Sequence, residues 1–169
     1  SGAHVALVNP LRLALTFPSA QLVDTPAGML KDLAAIAKAL RKRGSGPIKD
    51  LIAEAVPDEH HAAAAERLKA AGKNYRGLIL LGSLAAAHPD YTLVKALAYV
   101  IAEASKARVG FLPAAANSAG ACLAGALPNL MPGARPADSA GMNAAAMLEE
   151  PRKAYLLWGL EPAYDLINP

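Results

Sequence analysis

Four short stretches of the chain are apolar almost without interruption: His4–Val8, Gly77–Leu81, Val109–Leu112 and Ala154–Trp158. A strand covered on both faces has no reason to alternate, so such runs read as buried parallel strands. Between them the period lengthens. Within Ala27–Arg43, Met29, Leu30, Leu33, Ile36, Ala37 and Leu40 recur every three or four positions and form one stripe of a helix. Thr25 suits its N-cap and Pro26 its first turn, while Arg41, Lys42 and Arg43 would complement its dipole before Gly44 ends it. A second helix is expected over Asp90–Lys106, with Leu93, Val94, Leu97, Val100, Ile101 and Ala104 on one side and Lys95, Glu103 and Lys106 away from it. Asp58–Ala71 reads as a third, acidic at its start.

Strand Gly77–Leu81, the following helix and strand Val109–Leu112 make a βαβ unit, for which a right-handed crossover is the rule. Gly44–Pro47 and Pro132–Gly141 read as loops. The alternation predicts an α/β fold: one domain over 1–169, with a doubly wound, mostly parallel, Rossmann-like sheet flanked by helices. Ser1-Gly2-Ala3 has the look of an expression scar, and Asn168-Pro169 stops within a pattern, so the piece reads as excised from a larger subunit.

Composition narrows the function. At 169 residues and 54% hydrophobic, the chain can bury a substantial core. The net charge of +3 is spread along the chain without an aromatic, phosphate-gripping pattern, which argues against nucleic acid. Leu78–Leu81 and Ala114–Pro128 are the most apolar segments, and both are shorter than the roughly 20 residues of a membrane-spanning helix. With no signal-peptide pattern at the N-terminus, a cytoplasmic location is expected, without direct membrane insertion.

Candidate chemistry is sparse. His4, His60, His61 and His88 do not form His-Glu-x-x-His, and helix neighbours such as His60 and His61 point about 100° apart, so no metal site is expected. Asp58, Glu59 and His60 read as a solvated helix start. The single cysteine, Cys122, can neither close a disulfide within the chain nor hold an iron–sulfur cluster, and reads as a small buried residue. Phosphate-loop and dinucleotide fingerprints are absent. Three loops nevertheless follow expected strands, where open parallel sheets bind ligands: Gly82-Ser83, Asn117-Ser118-Ala119-Gly120, and Gly159 with Glu161. Gly82, Ser83, Asn117, Ser118, Gly120 and Gly159 are therefore candidates for one crevice. The competing reading is that glycine permits a sharp turn and Asn-Ser begins a helical one. Ser83 or Ser118 as a hydrolase nucleophile lacks Gly-x-Ser-x-Gly and an assignable base.

From Gly77 onward several segments occur in a characteristic order. They are Leu80-Leu81-Gly82, Ala87-His88-Pro89, Leu112-Pro113, Ala116-Asn117-Ser118-Ala119-Gly120-Ala121, and Pro151-Arg152-Lys153-Ala154-Tyr155-Leu156-Leu157 with Gly159 and Glu161-Pro162. This order resembles the large iron–sulfur subunit of bacterial NADH:quinone oxidoreductase (respiratory complex I), in its molybdopterin-oxidoreductase-like region. Leu7-Val8-Asn9-Pro10 and the helix after Thr25-Pro26 extend the likeness more loosely.

The resemblance implies a structural and assembly domain without a catalytic site of its own, in an arm that passes electrons from NADH to quinone. It also implies iron–sulfur clusters in a cysteine-rich part of the parent subunit N-terminal to this region, and no cofactor within it. The partners would be other peripheral-arm subunits, and the place in the cell peripheral to the inner face of the membrane. The alternative is a small-molecule or pterin-dinucleotide-binding module using the candidate crevice.

Overall fold

The computed structural model describes residues 3–74, 76–113, 115–161 and 163. Ser1-Gly2 of the suspected scar, Pro162 of the Glu161-Pro162 segment, and Asn168-Pro169 lie outside the described residues. The chain divides into two units, Ser1–Ala114 and Ala115–Pro169.

In the first unit, β1 (Ala6–Asn9) pairs in parallel with β2 (Ala20–Val23), Ala6 opposite Ala20 and Asn9 opposite Val23. The short crossover between them is irregular, and Gln21 holds it from the sheet: its side-chain amide donates to the Leu13 carbonyl at 2.9 Å and accepts from the Leu13 N–H at 2.8 Å. Then come α1 (Pro26–Ala39), α2 (Ile48–Glu54) and α3 (Glu59–Gly72). The crossover motif follows: β3 (Leu78–Leu81), α4 (Ser83–Ala86), α5 (Tyr91–Ser105) and β4 (Arg108–Phe111). β3 and β4 are parallel, Leu78 opposite Arg108 and Leu81 opposite Phe111.

α1 begins as its sequence suggests, with Pro26 in the first turn and Thr25 Oγ1 accepting from the Gly28 N–H at 3.1 Å. It ends sooner than expected. Leu40 is the C-cap and Arg41 has a φ of +59°, so the basic cluster follows the helix instead of occupying its last turn. The α2 segment carries only seven residues, too few for its hydrophobic period to stand out in the sequence. Its C-terminal end is covered by Lys38, whose Nζ donates to the Ala53 and Ala55 carbonyls at 2.7 Å each. α5 ends on Lys106 in the left-handed conformation, φ +58°.

The core lies where α1 meets α5. Ala34 and Ala37 of α1 and Leu97 and Ala98 of α5 are fully buried, and the alanines let the two helices approach closely. Ile48 and Ile52 of α2, Ala65 of α3 and Leu81 of β3 complete the cluster, with Val8, Leu22, Ile79 and Val109 packed against it. One sheet face is therefore covered by helices. Of the alternate residues of β3, Leu78 is 56% and Leu80 50% exposed.

The second unit contains α6 (Ser118–Leu123), the antiparallel pair β5 (Leu130–Met131) and β6 (Arg135–Pro136), and α7 (Ala144–Glu149). The expected loop Pro132–Gly141 thus carries β6, which folds back on β5. Among its described residues none is buried.

The protein is α/β, with seven helices among the described residues. Its described strands join in three separate pairs, not in one continuous ladder. The expected strand Ala154–Trp158 needs correction. It takes no ladder partner among the described residues, and Leu156 and Trp158 are 89% and 90% exposed, because an apolar run becomes a buried strand only where neighbouring strands accept its hydrogen bonds. No helix among the described residues is long and apolar enough to cross a membrane.

Candidate functional site

The candidate crevice residues fall in both units. Gly82 follows β3 as the N-cap of α4, with φ −94° and ψ −171°, and its carbonyl accepts from the Ala86 N–H at 3.0 Å. This backbone is open to any residue, and a β-carbon on Gly82 would meet nothing within 4 Å. Ser83 opens α4 and is exposed. α4 has only four residues, so it presents a weak dipole and few free N–H groups.

In the second unit, Asn117, Ser118 and Gly120 come together as one local turn that starts α6. Ser118 Oγ donates to the Ala115 carbonyl at 3.1 Å, and the Asn117 side chain lies over Gly120, where a β-carbon would collide with it. Gly159 is exposed at φ +63°, with open space around it. Its role is conformational: the left-handed region favours glycine.

These geometries decide what the loops can do chemically. Ser118 spends its hydroxyl on its own turn, Asn117 stands at the N-cap of α6 without a side-chain cap bond, and no histidine or carboxylate is hydrogen bonded to Ser83 or Ser118 among the described residues. A nucleophile needs such a base. A pterin dinucleotide needs an enclosed, apolar cleft with convergent donors. The exposed Ser83 and the Asn117–Gly120 turn, none of whose residues is buried, do not fit that group. Depressions on the first unit lie away from Gly82-Ser83, one at the start of β4, lined by Tyr99, Glu103, Lys106 and Arg108, and one beside β1 and β2, lined by His4, Ser19 and Arg67.

The most highly organised polar cluster lies elsewhere, at the start of α3, and joins three residues that sequence reasoning did not connect. Asp58 caps the helix, its Oδ1 accepting from the N–H groups of His60 at 2.8 Å and His61 at 3.0 Å. The His61 backbone N–H is the main reason that the Asp58 carboxyl is held below its ordinary range. His61 reciprocates, its Nδ1 accepting from the Asp58 N–H at 3.2 Å, so a histidine closes a capping box usually closed by glutamate or glutamine. Its Nε2 lies 3.0 Å from Asp32 Oδ1 on α1. Glu59 and His60 are solvated, as the sequence suggests, but His61 is only 7% exposed. The findable signal was the Asp-x-x-His spacing at a helix start; the reach to Asp32 depends on how α1 packs against α3.

His88, the second buried histidine, bonds through Nε2 to the Pro26 carbonyl at 2.7 Å and through Nδ1 to the Asp90 N–H at 2.9 Å. Among the described residues no group of three or more His, Cys, Asp or Glu side chains is arranged to hold a metal ion. Cys122 is half-buried and free, less enclosed than its small size suggests.

Compared with protein-family models, curated proteins and solved structures, the chain matches none.

Proposed function

We propose that this chain is a structural and assembly domain of the large iron–sulfur subunit of bacterial NADH:quinone oxidoreductase, drawn from its molybdopterin-oxidoreductase-like region. The parent transfers electrons from NADH to quinone through clusters held outside this region. The ordered segments from Leu80-Leu81-Gly82 to Glu161-Pro162 suggest the family. One structural observation carries the assembly role: apolar surface is left open where parallel sheets are normally covered. Leu78 and Leu80 on β3 are at least half exposed, and Leu156 and Trp158, outside any described strand, add further open apolar surface.

In this reading the two parallel pairs belong to one doubly wound, Rossmann-like sheet, and other parts of the parent subunit and of the peripheral arm cover the open faces. The location is cytoplasmic, peripheral to the inner face of the membrane through the parent complex. No iron–sulfur cluster resides in this chain, whose one cysteine is too few for a cluster site.

The test is co-expression with the remaining peripheral-arm subunits from the same source, followed by purification on a tag carried by this chain. Stoichiometric co-purification, lost in a Leu156→Asp, Trp158→Asp double variant that retains the helical content of the parent chain, is the expected result. A reading frame without cysteine-rich modules upstream, or no association under these conditions, overturns the assignment.

A further inference from the structure

The two buried histidines both hold α1, but they differ at the second ring nitrogen. His88 donates through Nε2 to the Pro26 carbonyl and accepts through Nδ1 from the Asp90 N–H, so the neutral ring satisfies both partners. His61 has the same division of roles, with Asp32 at Nε2 and the Asp58 N–H at Nδ1. There is one addition: Asp58 Oδ1 also lies 2.6 Å from Nδ1. Asp58 thus offers His61 a donor and an acceptor at the same nitrogen.

We propose that His61 is a proton-dependent switch in the cap of α3, held to α1 through Asp32 in both of its states. The neutral ring donates to Asp32 and closes the capping box by accepting from the Asp58 N–H. When Nδ1 takes a proton from solvent, the Nε2–H bond to Asp32 remains and the Asp58 carboxylate, its Oδ1 already 2.6 Å away, shifts to accept from the new Nδ1–H. The Asp58 N–H then loses its acceptor. Acidification therefore exchanges one bond of the helix cap for an imidazolium held between two carboxylates, while the two helices stay joined. No other covalent change is involved, and the proton returns to solvent when the pH rises.

The charged groups around the ring are consistent with this exchange. α1 contributes Asp32 and the start of α3 contributes Asp58, with side chains 14% and 56% exposed. Glu59 and His60 face solvent and lie 3.9 Å from one another. The other helix packed on α3 is α5, which brings no ion pair to it among the described residues; its Glu103 pairs with Lys42 at 3.2 Å. No cation competes with His61 for either carboxylate among the described ion pairs.

The experiment follows the nitrogen resonances of the His61 ring and the Asp58 backbone amide in the whole, isotopically labelled chain as the pH is lowered from the alkaline side through the folded range. The expected result is an Nε2–H tautomer at the alkaline end, then gain of Nδ1–H with a shift of the Asp58 amide at the same midpoint. The Asp58 response disappears in His61→Gln. An Asp58 amide that does not follow the ring overturns the proposal, as does a ring that stays neutral while the chain remains folded. If His61→Gln does not fold, the two midpoints in the unmodified chain decide the matter alone.

Discussion

Gly72, the last residue of α3, lies so close to Ser105, the last of α5, that a β-carbon on it would collide with the Ser105 carbonyl oxygen. The two helices converge at these ends, and only hydrogen fits between them. Gly72→Ala should therefore cost about 2–3 kcal/mol, as backbone must move to admit the methyl group. Gly82→Ala, with extended backbone and open space, should change stability by less than about 0.5 kcal/mol. Denaturant unfolding of both variants checks the contrast; equal losses would mean that α3 and α5 do not converge in this way.

Leu97 and Lys95 test the phase of α5. Leu97 is fully buried in the α1–α5 core, whereas Lys95 reaches over the Tyr91 ring, 5.4 Å from its centre. Leu97→Asp should cost several kcal/mol, about 4 or more, through lost packing and a buried carboxylate. Lys95→Ala should cost at most about 1 kcal/mol, the scale of an exposed cation–π contact. Similar urea midpoints for the two would place the apolar stripe on another face.

Lys38→Met should loosen α2 selectively. The lysine's two bonds to the Ala53 and Ala55 carbonyls cover the end of a seven-residue helix. Their loss should cost about 1 kcal/mol, a charged hydrogen bond discounted for partial exposure. Amide exchange in Ile48–Glu54 should quicken more than in α5; uniform acceleration would show that the lysine acts on the whole unit.

Asp58 should contribute to acid sensitivity with a definite sign. Its folded-state pKa is lowered, chiefly by the His61 backbone N–H, from an ordinary value of 3.8. A depressed carboxyl group contributes stability above its unfolded pKa and loses it as the pH falls through the folded one. The stability gap between the unmodified chain and Asp58→Ala should be open at about pH 5 and close progressively below about pH 4. A gap that persists unchanged at the acid end would separate the cap from the charge of Asp58.

The sequence disclosed those parts of the fold that arise from one segment at a time. The stripe from Met29 to Leu40 and that from Leu93 to Ala104 identify α1 and α5, since the burial of one helical face is written in its own period. Boundaries were less legible: α1 stops at Ala39 because Arg41 turns left-handed, which no residue preference signals. β2 is inconspicuous because Ala20–Val23 is only four residues long and includes Gln21. Ala154–Trp158 misleads for the opposite reason, carrying the apolar character of a strand without a ladder partner among the described residues. The polar cluster was the least readable feature. His61 and Asp32 are 29 positions apart, and His88 and Pro26 are 62 apart, so their meeting depends on tertiary packing.

The placement of buried residues carries a calorimetric consequence. Every buried side chain among the described residues belongs to Ser1–Ala114, and none to Ala115–Pro169. Cooperative melting enthalpy comes from tightly packed structure, at about 0.7 kcal/mol per residue near 60 °C. The isolated chain should accordingly absorb heat as a protein of about 114 residues, roughly 80 kcal/mol in its main transition. Participation of the whole length would raise this to roughly 118 kcal/mol. Scanning calorimetry distinguishes the two values. The larger one would mean that the second unit melts together with the first, a cooperativity for which its own described residues supply no buried core.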